Sequence, residues 1–136
     1  MTTEMATAKE ALRAWLDAIA ARDMDTCAAM LADDVVVRVP LAPPGVPPQI
    51  EGKAAFEPVL RQVHSLFASY EWFDLELFGT DDEEVAIATA GSRVQLGDGR
   101  DYVNDYVVFA RVRDGKLVEY REYFDPIRAG AALAPA

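Results

Sequence analysis

The spacing of apolar residues changes character partway along the chain. Leu12, Trp15, Leu16 and Ile19 recur at the i, i+3, i+4, i+7 interval of one buried helix face. Thr7, with Glu10 three residues on, has the form of a capping box at the head of that helix. Asp23-Met24-Asp25 breaks the pattern, and Asp25 is placed to cap a short second helix through Met30 and Leu31. Asp34 to Val39 is a β-branched run and reads as a strand. Phe56, Leu60, Val63 and Phe67 predict a third helix from about Lys53 to Phe67, with Pro58 tolerated near its first turn.

Beyond that helix the period becomes two. Trp72 to Phe78, Val85 to Val94, Tyr102 to Arg113 and Leu117 to Phe124 predict four antiparallel strands. Gly79-Thr80-Asp81-Asp82, Gly97-Asp98-Gly99 and Asp114-Gly115 punctuate them, the last being a strong hairpin signal. Residues 40–48 hold five prolines, which excludes a central strand or a helix interior and predicts a stiff surface loop, a rim over a pocket. Ala129 to Ala136 has no pattern and predicts a frayed tail. Helices first and a meander after give an α+β class in a single domain. Ala86, Ala88, Ala90 and Gly91 would let a sheet curve tightly around the N-terminal helices.

Composition narrows the function classes. A chain of 136 residues, 51% hydrophobic and 26% charged, suits one globular domain rather than a disordered segment. No apolar run is long enough for a membrane span, and MTTEMATAKE lacks the basic start and apolar core of a secretory signal. A cytoplasmic location with no membrane partner is the expectation. The net charge of −10, with scattered Lys and Arg, argues against a nucleic-acid partner. Seven acids and no Lys or Arg lie in residues 71–84, read as a solvated strand face and turn. Cys27 is the one cysteine and His64 the one histidine, so neither a disulfide framework nor a metal site is expected.

Glu122 is the first candidate for chemistry. Period two puts it on one face of the last strand with Val118, Tyr120 and Phe124, an apolar and aromatic set expected to face inward. A carboxyl between aromatic rings is desolvated, its neutral form is favoured, and it can act as acid or base near neutral pH. The alternative is a register in which Glu122 faces water or pairs with an arginine. Tyr102, Asn104 and Tyr106 share a face of the preceding strand, where they either donate to a bound carbonyl or form a polar strand start around a core tyrosine. His64 lies beside the apolar stripe of the third helix. It reads as an edge histidine that could at most touch a ligand.

The segments RAWLDAIAARDMDTCAAMLADDVVVRVP and YVNDYVVFARVRDGKLVEYREYFDP resemble the nuclear transport factor 2-like superfamily, in its SnoaL-like, ketosteroid-isomerase-related branch. EWFDLELFGTDDEE and REYFD also resemble the phenazine-biosynthesis A/B proteins. The resemblance implies a cone-shaped α+β fold with a pocket between helices and sheet, a small hydrophobic ligand, no cofactor and a homodimer. It implies an acid at Glu122, within Arg121-Glu122-Tyr123, and suggests roles for Arg38 and Glu51. Both of the latter also have plain structural readings, as a solvated strand arginine and a helix-start acid. Trp15 stands where a steroid isomerase carries its oxyanion-hole tyrosine, and Val39 where it carries its aspartate base. Both departures speak against steroid isomerisation.

The sequence thus predicts a cofactor-independent enzyme of isomerase, cyclase or dehydratase type. Glu122, Tyr102 and Asn104 are the catalytic candidates, and Trp15, Arg38, Glu51, Tyr106, Tyr120, Phe124 and His64 the binding candidates. A non-catalytic binding or assembly module is the alternative. Epoxide hydrolysis through Arg93, Asp101 and Asp125 ranks last, because the strand phases keep those residues apart.

Overall fold

The structure is a computed structural model in which residues 7–134 are described. Its elements are α1 (Ala8–Ala20), α2 (Met24–Ala29), β1 (Leu31–Arg38), β2 (Gln49–Glu51), α3 (Lys53–His64), β3 (Phe67–Gly79), β4 (Val85–Leu96), β5 (Asp101–Arg113), β6 (Lys116–Phe124) and α4 (Pro126–Leu133). The six strands form one curved, unclosed sheet in the order β2-β1-β6-β5-β4-β3. All pairings are antiparallel except β1 with β6, which is parallel. The expected all-antiparallel sheet is corrected on that point. A parallel neighbour requires a long crossover, here everything from β2 to β5, and no local pattern announces it.

Local chemistry explains the ends of the helices. Thr7 and Glu10 form the capping box, each side chain accepting the other's backbone N–H at 3.1 Å. The cap of α2 is Asp23 rather than Asp25, since its carboxylate accepts the N–H of Thr26 at 3.1 Å and the Thr26 hydroxyl at 2.6 Å. Asp25 lies inside the first turn and pairs with Arg61 at 2.8 Å. Leu31 opens β1 instead of closing α2, and Phe67 opens β3 instead of closing α3. The tail expectation is also corrected. Asp125 caps α4 by accepting from Ile127 and Arg128, and Pro126 supplies the preset φ of a first helical residue.

The core lies between α1 and the inner face of the sheet. Leu12, Trp15, Leu16 and Ile19 are buried there against Ala86, Ala88 and Ala110, whose small side chains let α1 approach. Two bulges re-phase the sheet. In β3, Phe73 faces Gly91 while Glu76 faces Thr89, and Asp74 takes a positive φ of 53° at the extra residue. Tyr70 and Trp72 before this bulge and Leu75 and Leu77 after it therefore all pack on the core. In β6, Val118 is the extra residue between Leu117 and Glu119, so Leu117 rather than Val118 joins Tyr120 in the core.

The outer face carries ion pairs and apolar side chains. Glu84, Asp82 and Glu71 of the acidic stretch are not merely solvated, because they bond Arg111, Arg113 and Arg93 across neighbouring strands. Phe73 lies over Gly91, where a Cβ would overlap its ring, and the Arg93 guanidinium sits 5.1 Å from the Phe73 centroid. Phe78, Val103 and Val107 remain exposed. No helix among the described residues is long and apolar enough to cross a membrane.

Candidate functional site

The mouth of the curved sheet leaves a cavity of about 140 Å³. Trp15 and Ile19 of α1 form its floor, and Phe56, Val59, Leu60, Val63 and His64 of α3 form one wall. The sheet contributes Tyr70 and Trp72 from β3, Tyr102 and Tyr106 from β5, and Tyr120, Glu122 and Phe124 from β6. Pro43, Val46 and Pro47 of the proline-rich loop and Ala129 and Leu133 of α4 form the rim. Rings interlock around this space. Tyr70 and Trp72 are 4.9 Å apart by centroids, Trp72 and Tyr106 5.5 Å, Tyr106 and Phe124 5.3 Å, and Trp15 and Tyr120 5.4 Å.

Glu122 is the one carboxyl in the wall among the described residues. The Tyr120 hydroxyl donates to its Oε2 at 3.1 Å. Burial pushes the carboxyl pKa up from 4.5 to about 7, and the Tyr120 hydrogen bond only partly opposes that rise. The phenols respond in the same sense. Tyr70 and Tyr120 are held well above 10 by burial first and then by the charge of Glu122, and Tyr106 by burial, Tyr70 and Glu122. Tyr102 is raised as well, chiefly by burial. All four therefore stay protonated near neutrality and are available as donors. His64 moves the other way, down to about 4, because it is buried and feels the positive charge of Arg22. It is neutral at pH 7, and its Nδ1 is buried without a partner.

Of the sequence candidates, Glu122, Tyr102, Tyr106, Tyr120, Phe124, Trp15 and His64 meet in this wall. Asn104 does not. It is fully buried behind Tyr102, and its amide is satisfied on every side. Its Nδ2 donates to the Tyr102 hydroxyl at 2.7 Å and to the Asp125 carbonyl at 3.0 Å, while its Oδ1 accepts the N–H of Asp105 at 2.8 Å and of Asp125 at 3.0 Å. It clamps β5 to the end of β6 and aims Tyr102, with no donor left over. Arg38 and Glu51 are exposed on β1 and β2 and do not line the cavity, since the inward positions there are Val37 and Ile50. Arg93, Asp101 and Asp125 do not converge either. Arg93 pairs with Glu71 outside, Asp101 is exposed, and Asp125 caps α4.

Tyr70, Trp72 and Leu133 are wall residues that sequence reasoning missed. Tyr70 fell between the expected end of the third helix and the expected start of the next strand. Leu133 fell in the supposed tail, although Asp125-Pro126 is itself a helix-start signal.

This fold and aromatic cavity define a class. The SnoaL-like domain family matches residues 12–120, and the chain belongs to that family. An uncharacterized PhzA/B-like protein of Pseudomonas aeruginosa is 30% identical over 102 residues, covering 72% of this chain and 70% of that one. The crystal structure of a candidate isomerase from Bacillus subtilis superposes with a TM-score of 0.81 at 26% identity, covering 92% of this chain and 91% of that one. A candidate polyketide cyclase of Pseudomonas putida shares the fold with a TM-score of 0.79 at 22% identity, over 95% and 99% of the two chains.

Proposed function

We propose that this chain is a small-molecule enzyme that moves a proton on a hydrophobic carbonyl compound, without a cofactor, through Glu122. The observation that carries the reading is a lone carboxyl, its pKa near 7, inside an aromatic cavity. A group poised there both takes and returns a proton at neutral pH. The phenol hydroxyls of Tyr102, Tyr106 and Tyr120 would donate to the oxygen on which negative charge develops. The kinship with a candidate isomerase fits this chemistry.

The test needs no knowledge of the natural substrate. In D2O, exchange of the protons α to the carbonyl of small cyclic ketones is followed by NMR, with wild type beside Glu122→Gln. Wild type should accelerate exchange, and Glu122→Gln should lose at least about 100-fold. Equal rates for the two proteins would overturn the reading. A binding module is the second reading, favoured because no second group in the described wall titrates near neutrality. It predicts ligands that bind and return with their α protons unexchanged.

The homodimer implied by family kinship would use the outer sheet face, where Phe78, Val103 and Val107 are exposed. Sedimentation of wild type and Val107→Lys tests it, with a dimer expected only for wild type.

A further inference from the structure

We infer that the occupant of the cavity is an uncharged compound of about one six-membered ring, bearing an acceptor oxygen that the indole N–H of Trp15 receives. This deepens the acid–base reading and rests on it. Size comes first. An apolar cavity of roughly 150 Å³ holds one benzene, so the 140 Å³ here encloses one ring and not a fused polycycle.

Charge comes second. Glu122 faces the space, His64 is neutral at pH 7, and no Lys or Arg lines the cavity among the described residues. The nearest cations are committed elsewhere. Arg22 donates to the Ala68 carbonyl at 2.8 Å, and Arg121 stacks on Phe109 at 4.3 Å on the outer face. A carboxylate ligand would thus be desolvated beside Glu122 with nothing to balance it.

The third observation separates an acceptor from an ammonium. The chain has two indoles. The N–H of Trp72 donates to the Leu16 carbonyl at 2.9 Å. That of Trp15 has no partner, although Trp15 is only 1% exposed and lines the cavity. It lies toward the Tyr120 hydroxyl without closing a hydrogen bond. A buried donor without a partner is costly, and an acceptor supplied by a ligand removes that cost. An ammonium would bring further donors to a wall already rich in them.

The two indole N–H resonances of the full chain give the readout. They are assigned with Trp15→Phe and Trp72→Phe, and each probe is titrated against wild-type protein. The probes are 2-cyclohexen-1-one, benzene, benzoate, cyclohexylammonium and 1-tetralone. Cyclohexenone should shift the Trp15 signal, leave that of Trp72 nearly still, and bind with a dissociation constant of about 1 mM or tighter. The other four should bind at least about tenfold more weakly. Benzene at equal affinity overturns the acceptor oxygen. Benzoate or cyclohexylammonium at equal affinity overturns the neutral charge, and 1-tetralone at equal affinity overturns the size limit. In those cases the cavity remains a binding site and the acid–base reading survives. If no probe moves the Trp15 signal, the cavity as a ligand site falls, and the acid–base reading with it.

Discussion

Two glutamates beside the same strand are driven in opposite directions. Glu122, on the inner face next to β5, has its pKa raised to about 7. Glu84, on the outer face at the other end of β5, has its pKa lowered to about 2. Glu84 accepts from Arg113 at 2.9 and 3.0 Å and from Arg111 at 3.1 Å, so its charge is welcomed. Glu122 has one phenol and no cation, so its charge is penalised. The sheet thus separates a face where carboxylates anchor neighbouring strands from a face where one carboxyl is left free to change its protonation. Acids are plentiful in this chain, and the scarce condition is an acid without an arginine.

That contrast can be attacked first through pH. A raised carboxyl pKa means the folded chain keeps a proton that the unfolded chain has released. Stability from Glu122 is therefore complete below pH 4.5 and is lost as pH rises through about 7. His64, lowered from 6.5 to about 4, acts in the opposite sense. Its contribution is complete above pH 6.5 and is lost as pH falls through about 4. Each shift corresponds to about 3 kcal/mol, so the two slopes nearly cancel in wild type. Glu122→Gln should unmask a stability that climbs from pH 4 to 6.5, and His64→Gln one that declines from pH 4.5 to 7. Denaturant titrations across this range check both, and parallel wild-type and Glu122→Gln curves would refute the buried acid.

The framework that supports the inner face is the next target. Asn104→Leu should cost about 3 kcal/mol, because it strands buried backbone N–H groups of Asp105 and Asp125. It should also speed hydrogen exchange in α4, whose cap residue Asp125 loses its tie to β5. The smallest effect is expected outside. Glu84→Gln should lower the melting temperature by less than Asn104→Leu, and the difference from wild type should shrink in high salt. A salt-independent loss would mean that the pairs on the two faces differ less than their surroundings suggest.

Much of this arrangement was legible before the structure. The capping box, the buried face of α1, the Asp114-Gly115 hairpin and the inward phase of Glu122 depend on neighbours a few residues away. What escaped depends on distant partners. β2 is three residues long and exists because Gln49, Ile50 and Glu51 pair with β1. The β1–β6 pairing joins segments about 80 residues apart, and the bulge at Asp74 shifts the phase without a glycine to mark it. Period two alone placed Asn104 with Tyr102 and Tyr106 correctly in face. It could not tell a side chain lining a cavity from one sealed behind it.

The last helix has a kinetic consequence. α4 buries only Ala129, carries Gly130 in its middle, and meets the proline-rich loop at the rim, with Pro43 3.7 Å from where a Gly130 Cβ would stand. Glycine weakens a helix interior by about 1 kcal/mol relative to alanine, and a methyl group fits at that distance. The helix can therefore unwind locally at far less cost than the sheet. Residence time at the site would then be governed by a door that is separate from the walls. Gly130→Ala should lengthen it while leaving the walls untouched.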